Sequence, residues 1–244
     1  MNRLLRQICN HLSNLLFPGC CPICNSEPYQ DGFSYICKEC EDSLSWIGDN
    51  GCKYCSIPMS GFSFNGLICS ACRDNPPSFN RGKSLFLLDQ NGKKIIHELK
   101  YLGVKDILKD IPNWMGRNPS FSEFLNDSII IPVPLHRKRL SKRGFNQSFW
   151  IAQALKKELG QNVQIVEALE RVKNTPTQTL FDLRQRKKNV KNAFRMKENI
   201  SISKDSKLIL IDDVYTTGAT LDECAKELKR KGFQKVNVAT LGHG

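Results

Sequence analysis

Between Cys21 and Cys72 the chain carries four C-x-x-C pairs: CPIC (Cys21, Cys24), CKEC (Cys37, Cys40), CKYC (Cys52, Cys55) and CSAC (Cys69, Cys72). Two cysteines three residues apart on a tight turn aim both sulfurs at one point. Two such turns supply the four thiolates of a closed tetrahedral zinc site. Four pairs make two sites, and the segment reads as a double zinc ribbon. Disulfides are the competing reading, and the regular pairing and a reducing cytosol argue against them. Sequential pairing is the simpler arrangement, while interleaved sites, with the first pair joining the third, stay open. Cys20 could replace Cys21 with a longer gap to Cys24, although the regular spacing favours Cys21. Four thiolates leave no open coordination position, so such zincs are structural. The segment has too few large apolar residues for a core of its own, and the metal would supply its folding energy. Of the cysteines outside the pattern, Cys224 shares a helical face with Leu221, Ala225 and Leu228 and reads as core.

Charge is divided along the chain. The formal net charge is +12. Up to Ser78 there are five Lys/Arg against seven Asp/Glu; from Phe79 onward there are 31 against 17. The later part should attract phosphates, pyrophosphates or nucleic acid. The stretch DNPPSFNRG (Asp74 to Gly82) marks a boundary. Residues 1–78 are expected to form an N-terminal helix and the double ribbon, and residues 79–244 a second domain. In the first segment Leu4, Ile8, Leu12 and Leu15 recur on one helical face until Pro18-Gly19. That is an amphipathic helix docked on the protein rather than a signal peptide. No stretch is long and apolar enough to span a bilayer, and the expected location is cytoplasmic.

Beyond the boundary, strand and helix patterns alternate. KSLFLLD, SIIIPVPL (Ser128 to Leu135), VQIVEAL, KLILI and KVNVATL read as strands. NQSFWIAQALKKELG reads as a helix with Phe149, Ala152, Leu155 and Leu159 on one side and Gly160 at its end. NGKKIIHELKYLG is a turn followed by a helix or an extended segment. The alternation predicts an α/β fold with a doubly wound, mostly parallel sheet.

In such sheets ligands bind outside the carboxyl ends of the strands. At one of these ends stands LILIDDVYTTGAT, Leu208 to Thr220. Asp212 and Asp213 follow the apolar run, where the chain is expected to turn. Thr216, Thr217, Gly218, Ala219 and Thr220 then present backbone N–H groups and hydroxyls at the start of a helix, which favours a phosphate. An anion nest beside carboxylates that could hold sugar hydroxyls or magnesium suits a sugar phosphate. Simpler explanations exist for the parts: Thr220 opens a capping box with Glu223, and a strand-end aspartate is a common turn former. A Walker-type phosphate loop is excluded, because no G-x-x-x-x-G-K-[ST] occurs.

This stretch resembles the 5-phosphoribosyl-1-pyrophosphate (PRPP) loop of type I phosphoribosyltransferases. With IPVPLHRKRLSKRGFNQS, NTPTQTLFDLRQRKKNV and the cysteine-rich start, nearly the whole chain resembles the ComF/GntX family. The resemblance implies a type I phosphoribosyltransferase fold preceded by the ribbon module. It implies that Asp212 and Asp213 bind the ribose hydroxyls and that Thr216 to Thr220 bind the 5′-phosphate. Pyrophosphate would fall to Arg137, Lys138, Arg139, Lys142 and Arg143, with magnesium accompanying PRPP. A hood closing over the site is matched to Arg171–Val190. The implied activity is phosphoribose transfer from PRPP to an unidentified acceptor, in a family associated with DNA uptake in natural competence. The rival use of the same charges is single-stranded DNA handling without catalysis, alongside competence machinery proteins. RQRKKNVKNAFRMK holds seven basic residues in fourteen, among them Arg184, Arg186, Lys187, Lys188 and Lys191. Such density can track a nucleic-acid backbone. No general base stands out: His97 and His136 are candidates by type only, and Tyr215 borders the expected pocket.

Overall fold

A computed structural model describes residues 20–26, 35–59, 67–174 and 190–244. The amphipathic segment before Pro18 and most of the expected hood, including Arg184, Arg186, Lys187 and Lys188, lie outside these residues.

Five strands form one sheet in the order β1-β7-β6-β2-β3, with every neighbouring pair parallel. They are β1 (Gly82–Leu87), β2 (Ser128–Pro132), β3 (Val163–Ile165), β6 (Leu208–Tyr215) and β7 (Val236–His243). Burial on both faces explains their continuous apolar runs: Leu208 to Ile211 and all of β7 are buried. One face packs Trp114, Phe121, Ile151 and Leu155 against Ile209 and Ile211. The other packs Ala225, Leu228 and Phe233 against Leu210 and Val238.

The ribbon straddles this sheet. Cys21, Cys24, Cys37 and Cys40 gather in one cluster and Cys52, Cys55, Cys69 and Cys72 in another, with the sulfurs of each within 4.8 Å of one another. The pairing is therefore sequential. Cys20 is exposed and stands outside the first cluster. Cys24 and Cys37 sulfurs are 3.6 Å apart and Cys55 and Cys69 sulfurs 3.7 Å. Those spacings suit a tetrahedron of bonds about 2.3 Å long, so the donor sets fit closed zinc sites. Short helices α1 (Lys38–Asp42) and α2 (Ser70–Asp74) begin at the second half of each cluster. The first cluster packs into the core on one face of the sheet and the second into the core on the other.

Between the two clusters the chain crosses the outer edge of β1. Ile47 donates its N–H to the Leu85 carbonyl at 2.9 Å, Leu87 donates to Ser45 at 2.8 Å, and Trp46 bridges Phe86 antiparallel. At Gly82 a Cβ would lie 2.2 Å from the Tyr54 carbonyl oxygen, so only glycine permits this approach. The fully buried Asp110 accepts the N–H groups of Tyr35 and Ile36 at 2.7 and 2.8 Å. Asp222 accepts the Ser78 N–H at 2.6 Å. These contacts join the two sides of the boundary expected at residue 78.

From β1 the chain enters α3 (Gln90–His97), whose N-cap Asp89 accepts from Asn91 and Gly92. The helix then widens into a π turn, Glu98–Leu102, closed by Gly103 at φ +70°. Helices α4 (Ile111–Arg117) and α5 (Pro119–Leu125) lead to β2. Helix α6 (Arg137–Arg143) follows β2, and α7 (Gln147–Leu159) precedes β3. Asn146 fixes the start of α7, accepting the Ser148 N–H and donating to the Val133 carbonyl. VQIVEAL, read as one strand, is split. β3 joins the main sheet, and β4 (Leu169–Arg171) pairs antiparallel with β5 (Phe194–Met196) in a separate ribbon. β6 also runs further than LILI, because Asp212 and Tyr215 stay in register with Thr240 and His243 of β7. The turn comes after Tyr215, before α8 (Ala219–Arg230).

The purified chain is expected to hold about two zinc ions. Because both clusters share core with the sheet, chelation should lower the melting temperature of the whole chain in one transition. A separate early transition confined to the ribbon would contradict this. Cys37→Ser should leave about one zinc, read by metal analysis.

Candidate functional site

A cleft of about 360 Å³ opens at the carboxyl ends of the central strands. Its floor is the β6–α8 connection. Gly218 is the N-cap of α8 at φ +68°, and its carbonyl accepts the Asp222 N–H at 2.8 Å. A Cβ there would lie 2.4 Å from the Tyr215 hydroxyl. Glycine is thus required by the left-handed turn and by the tyrosine ring behind it. Tyr215 is buried, stacks on His243 at 5.0 Å and does not line the cleft. The capping box expected at Thr220 does not start the helix; Glu223 instead accepts the Asn192 N–H. Thr216, Gly218, Ala219 and Thr220 line the cleft. Thr217 turns back, its hydroxyl accepting the Ala219 N–H at 3.3 Å.

Asp212 and Asp213 line the same cleft and are held from different elements. The Ser148 hydroxyl of α7 donates to Asp212 Oδ1 at 2.9 Å, as does the Asp213 N–H. Lys100, on the π turn, reaches Asp213: its ammonium donates to Oδ1 at 3.2 Å and lies 2.9 Å from Oδ2 as an ion pair. Burial, then the neighbouring Asp213 charge, pushes the Asp212 carboxyl up to about 7. Burial works against the Lys100 ammonium, yet the two aspartates together hold its pKa above the ordinary lysine value. The cluster is a pair of neighbouring carboxyls with one cation, Lys100, set against them.

Facing the acids is a basic wall. Arg139 and Arg143 of α6 and Arg171 of β4 line the cleft. Arg143 donates to Gln147 Oε1 at 2.5 Å and sits 5.9 Å from the Tyr101 ring. Arg171 is buried, with its guanidinium 5.3 Å from the Phe194 ring. Of the other expected pyrophosphate residues, Arg137, Lys138 and Lys142 are exposed on the outer side of α6 and do not line the cleft. His136 is the N-cap of α6, its Nδ1 accepting the Lys138 N–H at 3.3 Å. His97 lines the cleft and lies beside Tyr101, with ring centroids 5.1 Å apart and the planes tilted by 37°. Lys191 is exposed, away from the cleft lining.

Lys100 and Ser148 escaped the sequence reading of the site, and Arg171 entered it only as the first residue of the expected hood. Lys100 meets its partner across 113 residues, and no local pattern reports such a contact. Its only local sign is the π turn, a distortion frequent at functional sites.

Comparison with known proteins accounts for this arrangement. Residues 146–242 match a model of the phosphoribosyl transferase domain, and residues 12–74 match a double zinc ribbon domain. The DNA utilization protein YhgH of Shigella flexneri is 31% identical over 233 residues, spanning 93% of this chain and 98% of that protein. Competence protein F of Haemophilus influenzae is 28% identical, over 84% of this chain and 96% of that protein. The chain belongs to the ComF family. A further relative, competence protein ComFC of Bacillus subtilis, is 29% identical over 81% of this chain and 79% of that protein. The ribbon and the phosphoribosyltransferase domain expected for the ComF family are both present. No helix among the described residues is long and apolar enough to cross a membrane.

A buried carboxyl whose folded pKa stands above its unfolded value costs nothing below the unfolded pKa. The cost grows as the pH rises through the folded one. Asp212→Asn should therefore melt above the parent at pH 8, by a stability gain on the order of 1–3 kcal/mol. The advantage should shrink as the pH falls from 8 to 5, measured by thermal denaturation. An equal or lower melting temperature at pH 8 would contradict the buried-charge account.

Proposed function

We propose that this protein binds PRPP in the cleft and transfers its phosphoribose to an acceptor, within the use of DNA during natural competence. The observation that carries the reading is the meeting, in one cleft, of an acid pair, a glycine-started helix and three arginines. Asp212 and Asp213 would accept the ribose 2′ and 3′ hydroxyls. Thr216, Ala219, Thr220 and the backbone around Gly218 would receive the 5′-phosphate at the start of α8, where the helix dipole favours negative charge. Arg139, Arg143 and Arg171 would take the pyrophosphate. They are partly or fully withdrawn from water, which strengthens their hold on a charged leaving group.

The acid pair and the phosphate side of the cleft fit PRPP carried with magnesium, which supplies neutralisation of the leaving pyrophosphate. The chain's own part is to orient. Ser148 and the Asp213 N–H fix Asp212, and the ion pair with Lys100 holds Asp213 in place. A hood, as the family resemblance implies, would exclude water from the sugar cation.

A second reading keeps the ligand and drops the transfer. His136 is used as a helix cap, which leaves His97 as the only histidine lining the cleft among the described residues. In that case the cleft would serve sensing or the handling of nucleotide ends, with single-stranded DNA and competence machinery as partners, in the cytoplasm.

Titration calorimetry should detect PRPP binding by the parent chain. Asp212→Asn with Asp213→Asn should weaken it at least about 100-fold, since two charged hydrogen-bond acceptors are lost. Unchanged affinity would remove the assignment. Pyrophosphate release with a panel of bases, amines and oligonucleotides separates the readings: release with one acceptor class supports transfer, and binding without release supports the second reading.

A further inference from the structure

The second cysteine cluster reaches the floor of the cleft by a short, stiff path. Helix α2 carries Cys72, and Asn75 is its C-cap. Pro76 and Pro77 follow, each with a fixed φ and no N–H to donate. The next two residues both engage the β6–α8 connection. Ser78 donates its N–H to Asp222 Oδ1 at 2.6 Å, and Asp222 donates its own N–H to the Gly218 carbonyl at 2.8 Å. Phe79 is buried and meets the Tyr215 ring edge-on, with centroids 6.3 Å apart.

Tyr215 is the wedge at the end of this path. Its ring lies between Phe79 and His243, and its hydroxyl end fills the space where a Gly218 Cβ would stand. It shares one apolar cluster with Cys52, Cys55 and Cys72. Burial, then the charges of the Cys72 and Cys55 side chains, holds its hydroxyl well above the ordinary tyrosine value, so the phenol stays neutral. The left-handed turn at Gly218 has the cleft on one side and this ring on the other. A packed interior yields little, so the turn cannot draw back while the ring is held. The first cluster is tied elsewhere. Lys94 of α3 donates to the Ile23 carbonyl at 2.6 Å, and Asp110 accepts from Tyr35 and Ile36.

We propose that Ser78, Phe79, Tyr215 and Asp222 are positioning residues that hold the turn from Thr216 to Thr220 in shape against the second cluster, so that zinc there and a phosphate at the turn strengthen each other's binding. Four thiolates on one zinc fix Cys69 and Cys72 at the start of α2, and the two prolines carry that constraint to Ser78 and Phe79. Linkage makes the effect mutual: if zinc raises the affinity for phosphate, phosphate raises the affinity for that zinc by the same factor. The first cluster's zinc should not respond. The choice of a sugar phosphate as ligand rests on the phosphoribose reading of the cleft; the support of the turn does not.

The test uses the full zinc-loaded chain and ribose 5-phosphate as the probe. Zinc affinity is read by equilibrium competition with a chromogenic chelator, with and without the probe. One of the two zincs should tighten about fivefold or more while the other is unmoved. The effect should persist in Cys37→Ser, which keeps only the second cluster's zinc. Asp222→Ala should abolish it and weaken ribose 5-phosphate binding by a similar factor. Asp222→Asn keeps an acceptor oxygen for the Ser78 N–H and should restore both. Because asparagine carries no charge, that rescue separates the bond to Ser78 from the ion pair with Lys226 and from the helix dipole. Circular dichroism establishes that each variant is folded. A separate arm needs no ligand: amide exchange at residues 216–222 should quicken in Asp222→Ala and return to the parent rate in Asp222→Asn. Failure of the parent to bind ribose 5-phosphate would count against the phosphoribose reading and leave this arm to decide. Unchanged exchange in Asp222→Ala would overturn the proposal. So would bound ribose 5-phosphate that tightens neither zinc, or both equally.

Discussion

Two adjacent carboxylates at the end of a buried strand are an electrostatic burden, and much of the surrounding structure exists to bear it. Asp212 takes a hydroxyl from α7 and a backbone amide, and Asp213 takes an ammonium from the π turn after α3. Each donor comes from a different element, so the elements cannot drift apart without stranding a charge. The arginines on the opposite wall set positive charge against the acids across the cleft. Burying one carboxyl beside another costs stability, a common trade at functional sites.

The ribbon solves a different problem. A five-stranded parallel sheet ends in two edges, and β1 is one of them. The Ser45–Ile47 segment pairs with that edge, and the two cysteine clusters reach around it into both cores. Asp110 and Asp222 then tie the incoming backbone to helices on opposite faces. Burial pushes the Asp110 carboxyl up to about 6, against the pull of the two amides it accepts. The cysteine clusters are thus part of the same packed body as the cleft.

What was legible in the sequence was what repeats or stays local. The cysteine spacing announced two metal clusters, but their pairing needed three dimensions, because sequential and interleaved sites share the same spacing. The alternation of strand and helix gave the parallel sheet, and LILIDDVYTTGAT gave the floor of the cleft. Long-range partners were silent. Lys100, Ser148, Arg171 and Asp110 act through contacts that no periodicity encodes. Local readings also failed where two roles compete for one residue type. His136 has the chemistry of a base and serves as a cap, and Thr220 has the chemistry of a cap and serves as a cleft wall. VQIVEAL fell short as one strand because its pattern cannot reveal that only Val163–Ile165 joins the main sheet while Leu169 opens a strand of a separate ribbon.

The embrace of β1 has a consequence for the chain before metal reaches it. Without the clusters, the Ser45–Ile47 segment loses its anchors on both sides, and a strand carrying Leu85 and Phe86 presents bare amides and carbonyls. Such a strand is a template for another copy of itself. Zinc supply would then decide whether newly made chains stay apart or clump together, well before any question of ligand or reaction arises.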